Sequence, residues 1–167
     1  MPPERPSTAR TGIGYDSHRF TAGGPMILGG VQIPSEHRLQ GHSDADAVAH
    51  ALTDAILGAA CAGDIGSMFP DSDPANKGRN SMEMLSLAVE RVESMGFAVV
   101  HSDITVIAES PRIGPHRAAM CDALALALRV PASMVSVKGK TNEGMGWIGR
   151  GEGLACIAVA TLAEVPR

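Results

Sequence analysis

Hydrophobic and polar residues follow two kinds of pattern along the chain, and these patterns predict strands and helices. Strands are predicted over "GIGYDSHRF" (12–20), "FAVVHSDITVIAE" (97–109), "MVSVKGK" (134–140) and "GLACIAVATLAEV" (153–165), where apolar or β-branched residues dominate or alternate with polar ones. In "MILGGVQIP" (26–34), two apolar runs are joined by Gly29 and Gly30. This arrangement is typical of a β-hairpin.

Three segments have the composition and periodicity of helices. The first, "DADAVAHALTDAILGAACAG" (44–63), has Ser43 as its predicted N-cap, Asp44 in its first turn and Gly63 at its end. The second, "SMEMLSLAVERVESMG" (81–96), is amphipathic and ends at a glycine, and the third is "PHRAAMCDALALALR" (115–129).

The remaining segments are predicted to be loops: "SEHRLQGHS" (35–43), "DIGSMFPDSDPANKG" (64–78) and the glycine-rich "TNEGMGWIGRGEG" (141–153). Because strands and helices do not alternate regularly, we expect an α+β fold. It would be a single domain over residues 11–167, with a mixed β-sheet, helices on one face and the hairpin beside it. Residues 1–10 are predicted to form a disordered tail.

Composition excludes some classes of function. The 167 residues carry a net charge of −4, no basic run and only 3% aromatic residues, so no nucleic-acid partner is expected. The longest strongly apolar stretch, "GLACIAVATLA", is far shorter than the ~20 residues of a membrane span, so no membrane partner is expected either. Three scattered cysteines favour buried thiols in a reducing cytosol and a cytoplasmic location.

Candidate metal ligands occur at the first strand and the first helix. Asp16 and His18 point to the same face of a strand because they are two residues apart. His50, with Asp46 and Asp54 four residues to either side, is the candidate third ligand. These three ligands with an open fourth position suit a catalytic Zn²⁺, and Asp46 is the predicted acceptor for the other ring nitrogen of His50. The alternative is a solvated acidic face with His50 as an incidental neighbour.

Other histidines compete for a role. His37 and His42 precede the first helix, whereas His101 and His116 are expected to be surface or packing residues. His42, in "GHSDAD", is expected near the start of the helix, where backbone N–H groups bind anions. His42 is therefore a second candidate for the functional site.

Several stretches together resemble the 2-C-methyl-D-erythritol 2,4-cyclodiphosphate synthase family. They are "DSHRF", "ILGGVQIP", "KTNEGMGWIGRGEG" and the long run from His42 to Pro74, and the resemblance extends from about Thr11 to the end. It implies that the 2-phosphate of 4-diphosphocytidyl-2-C-methyl-D-erythritol 2-phosphate attacks the β-phosphorus. CMP would leave, and an eight-membered cyclic diphosphate would form in the non-mevalonate isoprenoid pathway. Such a reaction needs no protein nucleophile, only positioning and charge stabilisation.

The resemblance also implies two metal ions and two residues that stabilise the transition state. Asp16, His18 and His50 would hold Zn²⁺, or another divalent transition metal, against the β-phosphate. Glu143 would help to hold Mg²⁺ or Mn²⁺ between the α- and β-phosphates. The residues implied to stabilise the transition state are His42 and Thr141.

Further substrate contacts are implied along the chain. Asp16, His18, Lys140, Thr141, Asn142 and Glu143 would lie near the phosphates, although family members often have small or hydroxyl residues where this chain has Gly139 and Lys140. Lys140 could therefore contact phosphate or simply be solvated. The other implied contacts are the phosphate and erythritol pair His42 and Ser43; the ribose turn Asp64, Ile65 and Gly66; the erythritol loop Phe69, Pro70, Asp71, Ser72 and Asp73; and the cytosine pocket Ala108, Glu109, Ser110, Pro111, Arg112, Ile113 and Gly114.

The family resemblance implies a homotrimer with its active sites between subunits. Trp147, Arg150 and Tyr15 match positions near the three-fold axis. Three copies would form an apolar sleeve closed by guanidinium groups, which suits a prenyl diphosphate. The alternative for Trp147 is a packing anchor.

Two other functions compete with the synthase. The same zinc ion could activate water in a phosphohydrolase. Alternatively, the chain could be a non-catalytic protein that binds a metal or an isoprenoid phosphate. The joint presence of zinc, nucleotide and second-metal motifs favours the synthase over both.

Overall fold

A five-stranded mixed sheet forms the centre of the computed structural model, which describes residues 9–165. Its strand order is β4-β1-β7-β5-β6, with β5 and β6 parallel and the other neighbouring pairs antiparallel. A separate hairpin pairs β2 with β3. The strands are β1 (Arg10–Ala22), β2 (Met26–Leu28), β3 (Val31–Ile33), β4 (His37–Leu39), β5 (Phe97–Ile107), β6 (Val135–Lys140) and β7 (Gly153–Glu164).

Three longer helices pack against one face of this sheet, and two single-turn helices lie in the loops. The helices are α1 (Ala47–Ala59), α2 (Ile65–Met68), α3 (Ser81–Ser94), α4 (Arg117–Leu128) and α5 (Gly146–Gly149). Alternation along β7 places Leu154, Cys156 and Ala158 in the core, whereas Ile157 is exposed on the opposite face. The predicted α+β fold, with helices on one face and a hairpin beside the sheet, is confirmed.

Two glycines allow α1 to lie directly against β1. Gly12 and Gly14 face the helix and are buried, and an added Cβ would lie 2.0 Å from the carbonyl oxygen of Ala55 and 1.8 Å from that of Ala51, respectively. Asp16 and His18 continue the same strand face towards α1. The glycines therefore bring the helix that carries His50 within reach of the strand that carries the other two candidate ligands.

The predicted start and end of the first helix were wrong. Asp46, not Ser43, is the N-cap, since its carboxylate accepts hydrogen bonds from the backbone N–H groups of Val48 and Ala49. Asp44 precedes the helix rather than lying in its first turn, and Ala45 has a left-handed φ of 60° that interrupts any earlier start. At the other end the helix stops at Ala59, because Cys61 is left-handed before Gly63 is reached.

The three predicted loops also contain short regular elements. Strand β4 lies within 35–43, helix α2 within 64–78, and helix α5 within the glycine-rich stretch 141–153. Each has only three or four residues, which is too short to produce a periodic pattern. The hairpin turn is as predicted, with left-handed φ values of 57° and 74° at Gly29 and Gly30.

The predicted N-terminal tail falls mostly outside the described residues, which begin at Ala9. Arg10, assigned to the tail, is the first residue of β1, and its guanidinium lies 4.5 Å from the centre of the Phe97 ring. Among the helices of residues 9–165, none combines the length and the apolar character that crossing a membrane requires.

Candidate metal centre and active site

Three candidate ligands converge where β1 faces the first half of α1. Oδ2 of Asp16 lies 2.7 Å from Nε2 of His18 and 3.3 Å from Nδ1 of His50. The two imidazole rings have centroids 5.6 Å apart and are tilted by 59°. Among the described residues, these three side chains form the group whose ligand atoms all lie within 4.8 Å of one another. The predicted convergence of Asp16, His18 and His50 is confirmed.

The His18 ring is oriented for ligation by a hydrogen bond on its far side. Its Nδ1 lies 2.8 Å from the carbonyl oxygen of Gln40, which can only accept, so Nδ1 carries the hydrogen. The lone pair of Nε2 then faces the Asp16 carboxylate. Nε2 and Oδ2 are buried and make no hydrogen bond of good geometry. Two facing lone pairs require a positive charge between them, and one oxygen with two imidazole nitrogens is a donor set that fits zinc.

Electrostatics in the cluster favour the same conclusion. Burial by itself would lower the pKa of His18, but the neighbouring Asp16 carboxylate outweighs it and raises the pKa above its usual value. Burial would raise the pKa of Asp16, but contacts with His18 and His50 outweigh it and lower the pKa. The Asp16 carboxylate therefore remains ionised, and the cluster attracts either a proton or a metal cation.

The far side of the His50 ring contacts two serines rather than the predicted aspartate. Its Nε2 lies 2.8 Å from Oγ of Ser81 and 3.0 Å from Oγ of Ser43, and the Ser81 hydroxyl donates to Asp44. The prediction that Asp46 accepts from His50 was wrong. Asp46 is fully buried because its carboxylate caps α1 and also accepts the N–H groups of Gly29 and Gly30, each at 2.8 Å.

Asp54, the other acidic neighbour of His50 on α1, also has a local structural role. Its Oδ1 accepts the backbone N–H of Ile65 at 2.7 Å. This bond connects the helix that carries His50 to α2. Asp54 therefore helps to fix the position of the turn that the sequence assigned to ribose binding.

A cavity of about 450 Å³ opens beside the cluster, within the range of small-molecule sites. Asp64, which precedes the lining residue Ile65, is the N-cap of α2 and accepts from the Ser67 N–H at 2.7 Å, and Asp73 caps the turn Pro74–Asn76 beyond Ser72. The site residues predicted from sequence that line it are His18, His42, Ser43, His50, Ile65, Gly66, Phe69, Pro70 and Asp71.

A second cavity, of about 510 Å³, shares no lining residue with the first. The predicted site residues that line it are Ala108, Glu109, Pro111, Arg112, Ile113, Gly114, Lys140 and Thr141. Ser110 lies within this segment and is exposed. Within the described chain, the predicted base pocket and the metal cluster therefore face different cavities.

Glu109 connects the predicted base pocket to the loop that follows β6. Its Oε1 accepts the backbone N–H groups of Asn142 at 3.0 Å and Gly144 at 3.2 Å. Glu143, between them, has a left-handed φ of 54°, is exposed, and forms an ion pair with Nζ of Lys140 at 3.0 Å. The sequence assigned Glu109 to base binding and did not indicate that its carboxylate shapes this loop.

The residues predicted near a three-fold axis lie on exposed surfaces. Tyr15 is exposed on the sheet face opposite the helices and is paired in register with Ile157. Trp147 lies in α5 and is 37% exposed, while Nε of Arg150 lies 3.3 Å from Oε1 of Glu152. Trp147 is therefore not a buried packing anchor in the single chain.

The remaining histidines do not join the metal cluster. His37 stacks on Phe20, with ring centroids 5.7 Å apart, and His101 lies exposed on β5. Ser81, in contrast, contacts His50, and Asp44 contacts Ser81, and neither role was predicted. Asp44 was visible in "GHSDAD" but was assigned to the helix, and Ser81, 31 residues from His50, has no spacing signal that could have indicated it.

Comparison with known proteins gives consistent matches over most of the chain. The model of the YgbB family matches residues 9–163. A Gemmatimonas aurantiaca protein named 2-C-methyl-D-erythritol 2,4-cyclodiphosphate synthase is 62% identical over 156 residues, covering 93% of this chain and 94% of the relative.

Solved structures give the same result. The bifunctional IspDF of Campylobacter jejuni superposes with a TM-score of 0.91 at 43% identity, covering 94% of this chain and 42% of that one. A 2C-methyl-D-erythritol-2,4-cyclodiphosphate synthase in its CDP-bound form superposes with a TM-score of 0.84 at 39% identity, covering 92% of this chain and 99% of that one. The structural similarity therefore extends over more than nine-tenths of this chain.

Proposed function

This chain belongs to the YgbB family, and we propose that it converts 4-diphosphocytidyl-2-C-methyl-D-erythritol 2-phosphate to 2-C-methyl-D-erythritol 2,4-cyclodiphosphate. An oxygen of the substrate's 2-phosphate forms a bond to the β-phosphorus, the bond from that phosphorus to the α-phosphate oxygen breaks, and CMP leaves. The enzyme acts in isoprenoid biosynthesis by the non-mevalonate pathway. The reaction class is that of a cyclising, CMP-forming phosphorus–oxygen lyase, and we infer a cytoplasmic location.

The observation that carries this proposal is the Asp16, His18 and His50 cluster beside a cavity of about 450 Å³. These residues would hold Zn²⁺, or a similar divalent metal, facing the substrate's β-phosphate. A zinc ion bound there supplies positive charge to phosphate oxygens. His42 lines the same cavity, where an imidazole N–H can donate a hydrogen bond to a phosphate oxygen.

The second cavity is proposed to bind the cytosine base. Its lining segment, 108–114, reads the base largely through backbone groups, while Asp64 accepts hydrogen bonds from the ribose. The hydroxyl of Thr141 donates a hydrogen bond to a phosphate oxygen in the transition state, and Asn142 is the next residue along the chain. The loop 69–73 lines the erythritol. Capping hydrogen bonds already fix the side chains of Asp64 and Asp73, and this preorganisation supports the roles proposed for the ribose turn and for the loop 69–73.

Phosphorus NMR of the purified protein with this substrate and Mg²⁺ tests the proposed reaction. We expect signals of the cyclic diphosphate and of CMP. Linear phosphate products would indicate a phosphohydrolase instead. An unchanged substrate spectrum with stoichiometric binding would indicate a non-catalytic binding protein.

Glu143 is the proposed ligand for Mg²⁺ or Mn²⁺ between the α- and β-phosphates. Glu143→Gln should leave zinc content unchanged but raise the half-saturating Mg²⁺ concentration at least about tenfold, or 1.4 kcal/mol, because a neutral amide is a weaker ligand for a hard cation. Activity measured against Mg²⁺ concentration gives the shift. Glu90→Gln, an exposed glutamate on α3 that pairs with Arg129, is the control. An unchanged titration would remove Glu143 from the second metal site.

Thermal stability should depend on pH in a way that differs between the zinc-loaded and zinc-free protein. In the zinc-free protein, the raised pKa of His18 contributes stability that is fully present below about pH 6.5 and lost as the pH rises through the folded-state pKa. Zinc displaces this proton, so its stabilising effect increases with pH. The difference in Tm between zinc-loaded and EDTA-treated protein should therefore widen from pH 6 to 8. A constant difference would show that zinc binding releases no proton.

The proposal extends to a homotrimer whose active sites form between subunits. Two observations support it: the predicted site residues line two separate cavities in one chain, and Ile13, Tyr15 and Ile157 leave an apolar strip exposed on the open sheet face. Light scattering should give three times the mass of one chain.

A prenyl diphosphate bound on the axis by Trp147 and Arg150 would saturate at one ligand per three chains.

A further inference from the structure

Two polar side chains in succession hold the far side of the His50 ring: Ser81 contacts the ring, and Asp44 contacts Ser81. Nε2 of His50 lies 2.8 Å from Oγ of Ser81, and the Ser81 hydroxyl donates to Oδ1 of Asp44. The other carboxylate oxygen of Asp44 accepts the Ser81 backbone N–H at 3.1 Å. Ser81 is fully buried, so water cannot replace these contacts.

The direction of the hydrogen bonds between these side chains follows from the chemistry of the groups. A carboxylate only accepts, so the single hydroxyl hydrogen of Ser81 points to Asp44. The Ser81 oxygen then presents a lone pair to His50 and can only accept from it. Nε2 of His50 therefore carries the hydrogen, and the lone pair of the ring lies on Nδ1, the atom that faces Asp16.

Helix capping accounts for only part of the Asp44–Ser81 contact: Oδ2 of Asp44 accepts the first backbone N–H of α3, whereas the bond from the Ser81 hydroxyl to Oδ1 satisfies no helix N–H. The cap of α3 is Asn80, whose side chain accepts the N–H groups of Met82 and Glu83. Ser81 follows this cap, and its hydroxyl points away from the helix towards the cluster. A buried hydroxyl that contacts both a histidine and a carboxylate indicates a role at the metal site.

We propose that Asp44 and Ser81 are positioning residues that fix His50 in the tautomer with its lone pair on Nδ1. They touch neither substrate nor metal in this assignment and act only through the imidazole. The inference rests on the proposed function in taking the Asp16, His18 and His50 cluster as a zinc site. It adds residues on two other segments of the chain, the loop before α1 and the first turn of α3.

Two substitutions should weaken zinc binding to different extents. Ser81→Ala removes the acceptor but leaves Ser43, 3.0 Å from Nε2, as a partial substitute. Asp44→Asn should weaken zinc binding more than Ser81→Ala does. Oδ1 of Asp44 accepts the Asp46 N–H as well as the Ser81 hydroxyl, and Oδ2 accepts the Ser81 N–H, so the amide NH₂ group must displace one of these donors. In the Oδ1 position it faces the Ser81 oxygen, whose hydrogen then turns towards Nε2. That reversal favours the wrong tautomer of His50, as an asparagine in place of the aspartate does in a catalytic triad.

The test measures the zinc dissociation constant of the full chain by competition with a chromophoric chelator. Loss of an outer partner of a zinc-bound histidine typically weakens binding 10–100-fold. We expect about 10-fold for Ser81→Ala and about 100-fold for Asp44→Asn. Ser86→Ala is the matched control, because its hydroxyl lies on the same helix and donates only to the Met82 carbonyl. The control should bind zinc like wild type.

A second readout reports the tautomer directly. In zinc-loaded protein labelled with ¹⁵N-histidine, His50 should show a protonated, slowly exchanging Nε2 and a metal-bound Nδ1. Ser81→Ala should make that proton exchange faster than in wild type, and faster than in the Ser86→Ala control, which reports the effect of a substitution elsewhere in α3. If Asp44→Asn fails to fold, the positioning role is decided by the zinc affinity of Ser81→Ala and by the exchange rate of its His50 Nε2 proton.

The outcomes separate this inference from the proposed function. If wild type binds zinc, and Ser81→Ala matches the Ser86→Ala control in zinc affinity and in the exchange rate of the His50 Nε2 proton, the positioning role is overturned. The metal site itself would then stand. Wild-type protein that binds no zinc would contradict the metal site, and the positioning role with it. A graded loss of zinc affinity, in which Asp44→Asn binds zinc more weakly than Ser81→Ala, supports the positioning role of Asp44 and Ser81.

Discussion

Asp16→Ala should lose zinc and at least about 10³-fold in kcat/KM, a loss of roughly 4 kcal/mol in transition-state stabilisation. Asp16 is the one anion among the three candidate ligands, and its Oδ2 contacts both imidazoles. His50→Ala should have the same effect, because two remaining ligands rarely hold zinc. Metal content by plasma emission and steady-state kinetics give the two quantities.

The fold should survive these substitutions, so the losses would report on the site. The Asp16 side chain is 25% exposed, and its polar contacts are with the two histidines alone among the described residues. Asp103→Ala is the control, since that aspartate also lies on a sheet strand and contacts a cation, Lys138, at 2.7 Å. It should retain zinc and activity. Stoichiometric zinc in both Asp16→Ala and His50→Ala would contradict the metal site.

Residue patterns were sufficient to predict the long elements and the centre of the site. The strands and helices of the core were found because each has enough residues to repeat its period. The metal cluster was found because Asp16 and His18 share a strand face and His50 lies on a polar face of an otherwise apolar helix. Within each element the informative residues are close in sequence, so spacing determines which face they share. His50 is distant in sequence from Asp16 and His18, and its place beside them was predicted from the donor set that zinc prefers.

Features that depend on distant residues or on single backbone angles were not predictable in this way. Ser43 and Asp44 are sound choices for a helix start by residue type, but the left-handed Ala45 moves the start to Asp46. Asp46 was misassigned for the same reason, because its carboxylate caps α1 and binds the hairpin turn instead of His50. Ser81 reaches His50 only through the packing of α3 against α1.

The close contact between β1 and α1 was likewise invisible in the sequence, although its cause is present there. The alternating glycines of "GIG" look like ordinary breaks in a strand pattern. In the structure they are the surface on which α1 rests, and the next residues on that face are the metal ligands. The geometry of the site therefore depends on two residues that carry no side chain.

Gly14→Ala should be among the most destabilising single substitutions in this protein. The added Cβ would lie 1.8 Å from the carbonyl oxygen and 2.8 Å from the carbonyl carbon of Ala51, and neither backbone atom can move without shifting the helix. Overpacking of this kind costs about 3 kcal/mol or more, which corresponds to a fall in Tm of roughly 6–12 °C for a domain of this size. Thermal unfolding measured by circular dichroism tests this.

Gly14→Ala should also weaken zinc binding in the molecules that remain folded, because a helix displaced from β1 carries His50 away from Asp16 and His18. Gly58→Ala is the matched control: it makes the same substitution in α1 itself, at an exposed site where an added Cβ meets nothing within 4 Å. Since alanine is the better helix former, Gly58→Ala should raise stability by about 0.5–1 kcal/mol and leave zinc affinity unchanged. Opposite signs for one substitution at two glycines would show that helix–strand contact, not glycine content, sets the geometry of the metal centre. A Gly14→Ala protein with wild-type Tm and zinc affinity would contradict this.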